Sequence, residues 1–278
     1  MPGRRNVLPA PLLVMVAAVF VLTFVIHLVA TLSYALRIAG ARTGRVAVSL
    51  ALFNVLALVS RTSHTFQVPL LAKHVEENIL RGTPEGAEAE LRWLLVASSL
   101  ATLAGALLIP TAQRLFTRAI WAFGAYRSIP RLVLRALTPH GLRRLRESAT
   151  WPSARRNLTG LGLSVVPPRI LVFNVVATAL LTVNVFASLY AGYLRPELRL
   201  TANNLSPVIN GLSTILLFVY VDPYLSILTD DVVGGRATDA HFRRCVILLV
   251  LSRLAGTVVA QGLLVPAAAL VLVVAEWL

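Results

Sequence analysis

Long apolar runs, separated by shorter polar segments, recur along the chain and indicate helices that cross a membrane. A stretch of about 20 apolar residues is long enough to span the hydrocarbon core of a bilayer. The first run is too long for the apolar core of a secretory signal, so we expect it to remain as a span. We predict spans at residues 12–36, 46–71, 91–112, 169–194, 206–229 and 245–275. The predicted fold is an all-α integral membrane protein, a bundle of six transmembrane helices in a single polytopic domain, residues 1–278.

The composition agrees with this assignment and argues against a soluble domain. Hydrophobic residues make up 57% of the chain and charged residues 14%, whereas soluble domains average about 45–50% and about 25%. The net charge of +14 is compatible with a nucleic acid or a membrane surface as partner. Because no nucleic-acid-binding motif is present, we attribute the charge to membrane topology and anionic lipids, and predict no nucleic-acid partner. The single cysteine, Cys245, excludes an internal disulfide.

Basic residues alternate between the two sides of the predicted bundle. The first, third and fifth loops hold 17 lysines and arginines, and the opposite side, with the N-terminal segment, holds seven. Cytoplasmic loops of membrane proteins carry the excess of such residues. We therefore predict that the odd-numbered loops are cytoplasmic and that both termini lie outside.

The segment between the third and fourth spans, residues 113–168, is the longest polar segment and is rich in arginine. Arg127, Arg131 and Arg135 recur every four residues and would share one face of a helix. Apolar and aromatic residues are interleaved with them, which is typical of an amphipathic helix on a membrane surface. We predict an Arg-rich amphipathic cytoplasmic segment, which acts either as a topology anchor or as a docking site for a polyanion.

Two arginines lie inside or beside predicted spans. Arg61 follows an apolar run in the second span, and Arg253 interrupts the sixth. An arginine at the centre of a transmembrane helix costs roughly 2.5–3.5 kcal/mol on insertion scales, so such residues are commonly functional. The alternative is an arginine near a helix end whose long side chain reaches the lipid headgroups.

Polar residues line up with these arginines at helical spacing. Asn54, Arg61 and His64 fall on one face of the second span, and Arg253 and Gln261 share a face of the sixth. Similar stripes in the fourth and fifth spans comprise Asn174, Thr178 and Thr182, and Asn203, Ser206, Asn210 and Ser213. A strip of small residues in the sixth span, Ser252, Gly256 and Ala260, suits close helix packing. The stripes predict a hydrated cationic cavity, or else hydrogen bonds that only join helices.

Asp222 precedes Pro223 near the end of the fifth span. A carboxylate inside the membrane requires a positive partner or a proton. We predict that Asp222 pairs with Arg253 or Arg61, or takes up a proton during transport. The alternative is an aspartate at the end of a helix on the cytoplasmic surface.

Several stretches of the sequence together resemble one protein family. They are TLSY (31–34), RIAGARTGR (37–45), LFNVLALVSRTS (52–63), VDP (221–223), LTDDVVGG (228–235) and SRLAGT (252–257). In this order, and with this hydropathy, they resemble the Amj family of bacterial lipid II flippases, the alternates to MurJ, over about residues 20 to 270. The resemblance implies that undecaprenyl-pyrophosphate-linked peptidoglycan precursor (lipid II) moves from the inner to the outer leaflet of the cytoplasmic membrane. It implies no particular site residues.

The chemistry of the residues suggests how such a substrate would be held. Arginine presents a planar fork that bonds phosphate through two hydrogen bonds. We expect Arg37, Arg42 and Arg45 to capture the headgroup, and Arg61 and Arg253 to carry it. The polar side chains expected to bond the rest of the headgroup are Asn54, His64, Asn210 and Gln261.

Neither a phosphate-binding P-loop nor a catalytic signature such as HExxH or GxSxG is present, so we predict a transporter without cofactor or metal. One rival is an intramembrane metal-dependent lipid-modifying enzyme with Asp222, Asp230 and Asp231 as ligands. Another is a scaffold subunit of a cell-wall complex that transports nothing, for which the intramembrane arginines would be dispensable.

Overall fold

The protein is described from a computed structural model, which covers residues 10–81, 86–126 and 165–278 and scattered positions between 128 and 162. These residues form helices and no strand. Six helical segments are long and apolar enough to cross a membrane, which confirms the six predicted spans. The five unbroken helices are α1 (Ala10–Thr43), α2 (Val46–Leu80), α3 (Ala87–Tyr126), α4 (Pro168–Leu194) and α8 (Asp239–Trp277).

Most of these helices extend beyond the predicted spans. The largest difference is in α3, which continues to Tyr126, whereas the predicted span ends at 112. Polar residues in the extension keep helical spacing, so the helix continues where its apolar character falls. Most of the Arg-rich segment, 127–164, lies outside the described residues, and its predicted amphipathic helix stays a prediction.

The fifth span is a broken helix. It comprises a 3₁₀ turn (Pro196–Leu198), α5 (Arg199–Asn204), α6 (Ser206–Leu216), a π-helical turn (Leu217–Val221) and α7 (Asp222–Val233). In the π turn, the Asp222 N–H donates to the carbonyl of Leu217, five residues earlier. Pro223 follows at the start of α7, and a proline lacks the N–H that regular helical bonding requires. Single π turns inside α-helices are often found at functional sites.

Helix α4 is the centre of the bundle. It is the most deeply buried span, and its most extensive contacts are with α8, while α1 packs mainly on α3 and α2. Gly256 of α8 lies directly against α4, since a Cβ added there would be 2.7 Å from both Thr178 Cβ and the Val175 carbonyl oxygen. The strip of small residues predicted in the sixth span therefore allows α8 to approach α4 closely.

Some residues of the predicted polar stripes only join helices. Asn174 Nδ2 donates to the Leu249 carbonyl and to Ser252 Oγ of α8, both at 2.8 Å. Thr182 Oγ1 donates to the carbonyl of Thr178 in its own helix at 2.6 Å. For these side chains the structural alternative considered in the sequence analysis holds.

Candidate functional site

A cavity of about 230 Å³ lies inside the bundle and collects most of its charged side chains. It is bounded by α1, α2, α4, the π turn, α7 and α8. Its polar and charged lining residues are Ser33, Tyr34, Arg37, Ser60, Arg61, Asp222 and Arg253. Both intramembrane arginines, one arginine of the first loop region and the predicted intramembrane aspartate thus meet at one place.

Arg37 and Asp222 form an ion pair across the cavity. Arg37 Nη2 donates to Asp222 Oδ1 at 2.6 Å, and the two side chains are 22% and 34% exposed. The predicted partners of Asp222, Arg253 and Arg61, were wrong. Arg37 lies inside α1 rather than in a loop, and the π turn directs Asp222 toward α1, so this arginine is the one within reach. The pair connects α1 to α7 beside the cavity.

Arg253 is a buried cation without a bonded partner. Its side chain is fully enclosed, and neither Nε nor Nη2 has a hydrogen-bond partner among the described residues. Tyr34 is the polar neighbour with which it interacts electrostatically, and Tyr34 also interacts with Asn174. An unsatisfied buried donor costs about 1–3 kcal/mol, so this arrangement is unfavourable unless a ligand supplies acceptors. The geometry is that of a site prepared for an anion.

Arg61 forms the other side of the cavity, near the middle of α2. Its side chain is exposed, and only its main-chain carbonyl accepts a hydrogen bond, from Thr65, among the described residues. Within the described stretch 53–62, α2 contributes no buried residue, although it is buried at both ends. The cavity wall is therefore open along this part of α2, where a transmembrane helix faces lipid.

Two of the predicted capture arginines lie outside the cavity. Arg42 Nε is 3.4 Å from Asp239 Oδ2 of α8, and the Arg45 guanidinium lies 4.3 Å from the centre of the Trp121 ring of α3. Both residues are at the end of α1 and the start of α2, where the first loop begins. They are near the cavity along the helices but are not part of its lining.

The four predicted polar contacts also lie elsewhere. Gln261 Nε2 donates to Ser99 Oγ of α3 at 3.0 Å, and His64 Nδ1 is 3.3 Å from Gln67 Oε1. Asn54 is exposed and Asn210 half-buried, and neither side chain lines the cavity. Residues that share a helix face with a cavity arginine can still lie a full turn or more too far along the axis.

Sequence reasoning missed Ser33, Tyr34, Phe53 and Ser60 as parts of the site. A signal was present for one of them, because His27, Tyr34 and Arg37 have the same i, i+7, i+10 spacing that identified the polar face of the second span. For the serines and Phe53, no local pattern distinguishes a cavity wall from an ordinary helix contact.

The arrangement is suited to binding a compact anion. Three arginines face one aspartate, so the cavity has an excess of positive charge in a setting of low polarity. Its volume of about 230 Å³ is below the range of about 300–1,000 Å³ that is usual for drug-sized ligands. A phosphate or pyrophosphate group fits this space, whereas a large sugar–peptide group does not.

The acidic residues of the rival metal site are separated. Asp222 pairs with Arg37, while Asp231 Oδ1 accepts from Arg236 Nε at 2.7 Å. Among the described residues, no group of three or more histidine, cysteine, aspartate or glutamate side chains is placed to hold a metal ion.

Comparison with known proteins gives two consistent matches. The model of the family described as "Amj: Alternate to MurJ" matches residues 22–275. The protein named lipid II flippase Amj from Bacillus subtilis (strain 168) is 33% identical over 260 residues, which are 93% of this chain and 96% of that protein. No solved structure matches the chain.

Proposed function

The chain belongs to the Amj family of alternates to MurJ, and we propose that it is a lipid II flippase of the bacterial cytoplasmic membrane. In this role it moves undecaprenyl-pyrophosphate-linked peptidoglycan precursor from the inner to the outer leaflet and carries out no chemical reaction on it. The observation that carries the proposal is Arg253, a fully buried cation with unpartnered donors beside a cationic cavity.

In the proposed mechanism the pyrophosphate group is the anion that the cavity lacks. Arg253 and Arg61 offer planar forks on opposite walls, and each fork can bond two phosphate oxygens. The substrate also competes with Asp222 for Arg37, because both present negatively charged oxygens to the same guanidinium. Binding therefore breaks the contact between α1 and α7, and a proton neutralises the released carboxylate.

The size and openness of the cavity divide the substrate into parts. The pyrophosphate enters the cavity, and the polyprenyl tail stays in the bilayer along the open wall beside Arg61. Sugars and peptide remain outside the cavity until the helices separate. Asn54, His64, Asn210 and Gln261 take part only if that separation frees them.

The orientation of the bundle follows from the distribution of arginines. With 17 basic residues on the odd loops, those loops lie in the cytoplasm and both termini lie outside. Arg42 and Arg45 then stand at the cytoplasmic entrance and attract the anionic headgroup before it reaches Arg37. The Arg-rich segment 113–168 lies on the inner leaflet, where it binds anionic lipids.

The test is complementation by Arg253 variants in a bacterium depleted of its resident lipid II flippase. The native chain restores growth and outer-leaflet precursor, whereas Arg253→Ala does not, and Arg253→Lys restores little because lysine cannot bond phosphate through a fork. Arg195→Ala is the matched control, because Arg195 makes only exposed ion pairs, with Glu197 and Glu276. Full complementation by Arg253→Ala, at equal protein levels, would remove the cavity from the mechanism.

A further inference from the structure

A second buried polar cluster lies where α2 ends and α3 begins, away from the cavity. His74 Nε2 is 2.8 Å from Glu90 Oε1 of α3 and 3.1 Å from Asn78 Nδ2 in its own helix. Asn78 Nδ2 also donates to the Tyr193 hydroxyl of α4 at 3.0 Å. His74 is fully buried, and its Nδ1 has no hydrogen-bond partner among the described residues. We call these four residues the clasp.

The clasp closes the route from the cavity to this end of the bundle. Helix α2 carries the open cavity wall in its first half and the clasp in its second half. Between them, Gln67 Nε2 donates to Thr23 Oγ1 of α1 at 2.6 Å, and Leu71 and Val75 are buried in an apolar cluster. A headgroup that leaves the cavity in this direction must separate α2 from α3 and α4, and so must break the clasp.

One ring nitrogen connects the clasp to a proton. When Nε2 carries a proton, it can donate to the Glu90 carboxylate and tie α2 to α3. When Nε2 carries none, it accepts from the Asn78 amide and presents a lone pair to Glu90 Oε1 at a distance of 2.8 Å. Two acceptors at that distance repel each other, and Oε1 has no other hydrogen-bond partner among the described residues. Loss of the proton therefore replaces a bond between helices by a bond within one helix.

Water and protons can reach the clasp through Glu90, whose side chain is 23% exposed. The other charged or titratable groups at this end have partners of their own. Glu77 pairs with Lys73 and Arg81, Glu88 with Arg92 and Tyr190, and Glu276 of α8 with Arg195. His74 and Glu90 therefore depend on each other and on the proton between them.

We propose that the clasp is a proton-operated gate, closed in this structure, at the end of the bundle where α2 meets α3. A bound proton holds α2 against α3, and its release lets α2 swing away so that the cavity opens toward that side. The inference rests on the proposed transport function, since it assigns the exit of the same cavity. Its test uses no lipid II, so failure of the gate and failure of the flippase proposal are distinguishable.

The experiment measures access to the cavity from each side of the membrane. Ser60→Cys places a thiol in the cavity wall of a variant whose native cysteine is replaced by Cys245→Ser. A membrane-impermeant thiol reagent is added to oriented proteoliposomes on one side at a time, between about pH 5 and 8, where histidine changes charge. The rate of labelling from the α2–α3 side rises with pH in the otherwise native protein.

Two variants and one control decide the outcome. Glu90→Gln and His74→Gln each raise labelling from that side about tenfold at low pH, as for a loss of roughly 1.4 kcal/mol, and remove its pH dependence. Glu77→Gln removes a carboxylate from the same helix end outside the clasp and keeps the native profile. Labelling that is independent of pH in the native background overturns the proposal, and this arm needs no clasp variant to fold. An unchanged profile in both clasp variants overturns it as well.

Discussion

Replacing Arg253 by methionine is predicted to stabilise the protein while abolishing transport. The Nε and Nη2 groups of Arg253 are buried without partners among the described residues. Each unsatisfied donor costs about 1–3 kcal/mol, and replacing buried charge by apolar groups of similar volume often gains about 1–4 kcal/mol. Methionine has a similar length and no polar hydrogen, so the packing around α8 is kept. We expect the free energy of unfolding to rise by about 2–4 kcal/mol.

The opposite sign is expected for the neighbouring cavity arginine. Arg37→Met leaves Asp222 without its cation, and an orphaned carboxylate is unfavourable in a membrane protein. Because both side chains are half-buried, the loss should be about 1–2 kcal/mol rather than the 3–5 kcal/mol, approximately, of a fully buried pair. Unfolding by SDS titration in mixed micelles measures both variants against the native protein. A destabilisation by Arg253→Met of more than about 1 kcal/mol would refute the reasoning, because it would mean that Arg253 is satisfied in the native state.

A double-mutant cycle on Arg37 and Asp222 separates their interaction from the effects of each single change. The expected coupling is about 1–2 kcal/mol, as for a charged hydrogen bond with partial access to water. Arg236 and Asp231 are the matched control, with an N–O distance of 2.7 Å but greater exposure of the arginine. Their coupling should be below about 1 kcal/mol. A larger coupling of Asp222 to Arg253 than to Arg37 would contradict the pairing seen in the cavity.

Three further outcomes are expected. Gly256→Ala should destabilise the protein by about 1–3 kcal/mol, since the new methyl meets α4, whereas Gly262→Ala in the same helix meets no atom within 4 Å and should be neutral in the same unfolding assay. Cysteines at Glu85 and Arg143, in a variant without the native cysteine, should be labelled from outside intact cells only at 85; the reverse would invert the orientation. Asp222→Asn should bind lipid II more tightly but transport it more slowly, measured by binding and by outer-leaflet precursor, because the amide competes weakly for Arg37.

The position of the charged residues within the bundle could be predicted only in part. Hydropathy placed Arg61 and Arg253 inside spans, and both line the cavity. The same reasoning assigned Arg37 to a loop, because the apolar run weakens before it, although α1 continues to Thr43. Backbone hydrogen bonds allow a helix to extend past the end of its apolar run, so a span boundary drawn from hydropathy alone misplaces residues near the interface.

The clasp illustrates what local patterns cannot indicate. His74 and Asn78 continue the buried face of α2 at i, i+4 spacing, which marks them as inward-facing. Nothing in the sequence near them identifies Glu90 or Tyr193 as their neighbours, because those residues lie on other helices.

What the sequence by itself determined is therefore the number and approximate limits of the spans, the helix faces that carry polar groups and the excess of positive charge inside the membrane. These properties depend on composition and on the 3.6-residue period, both of which are local. The tertiary structure alone decided that Asp222 pairs with Arg37, that Arg253 stays unpaired and that His74 meets Glu90. Such pairings depend on the rotation, tilt and depth of each helix, which are set by packing against its neighbours.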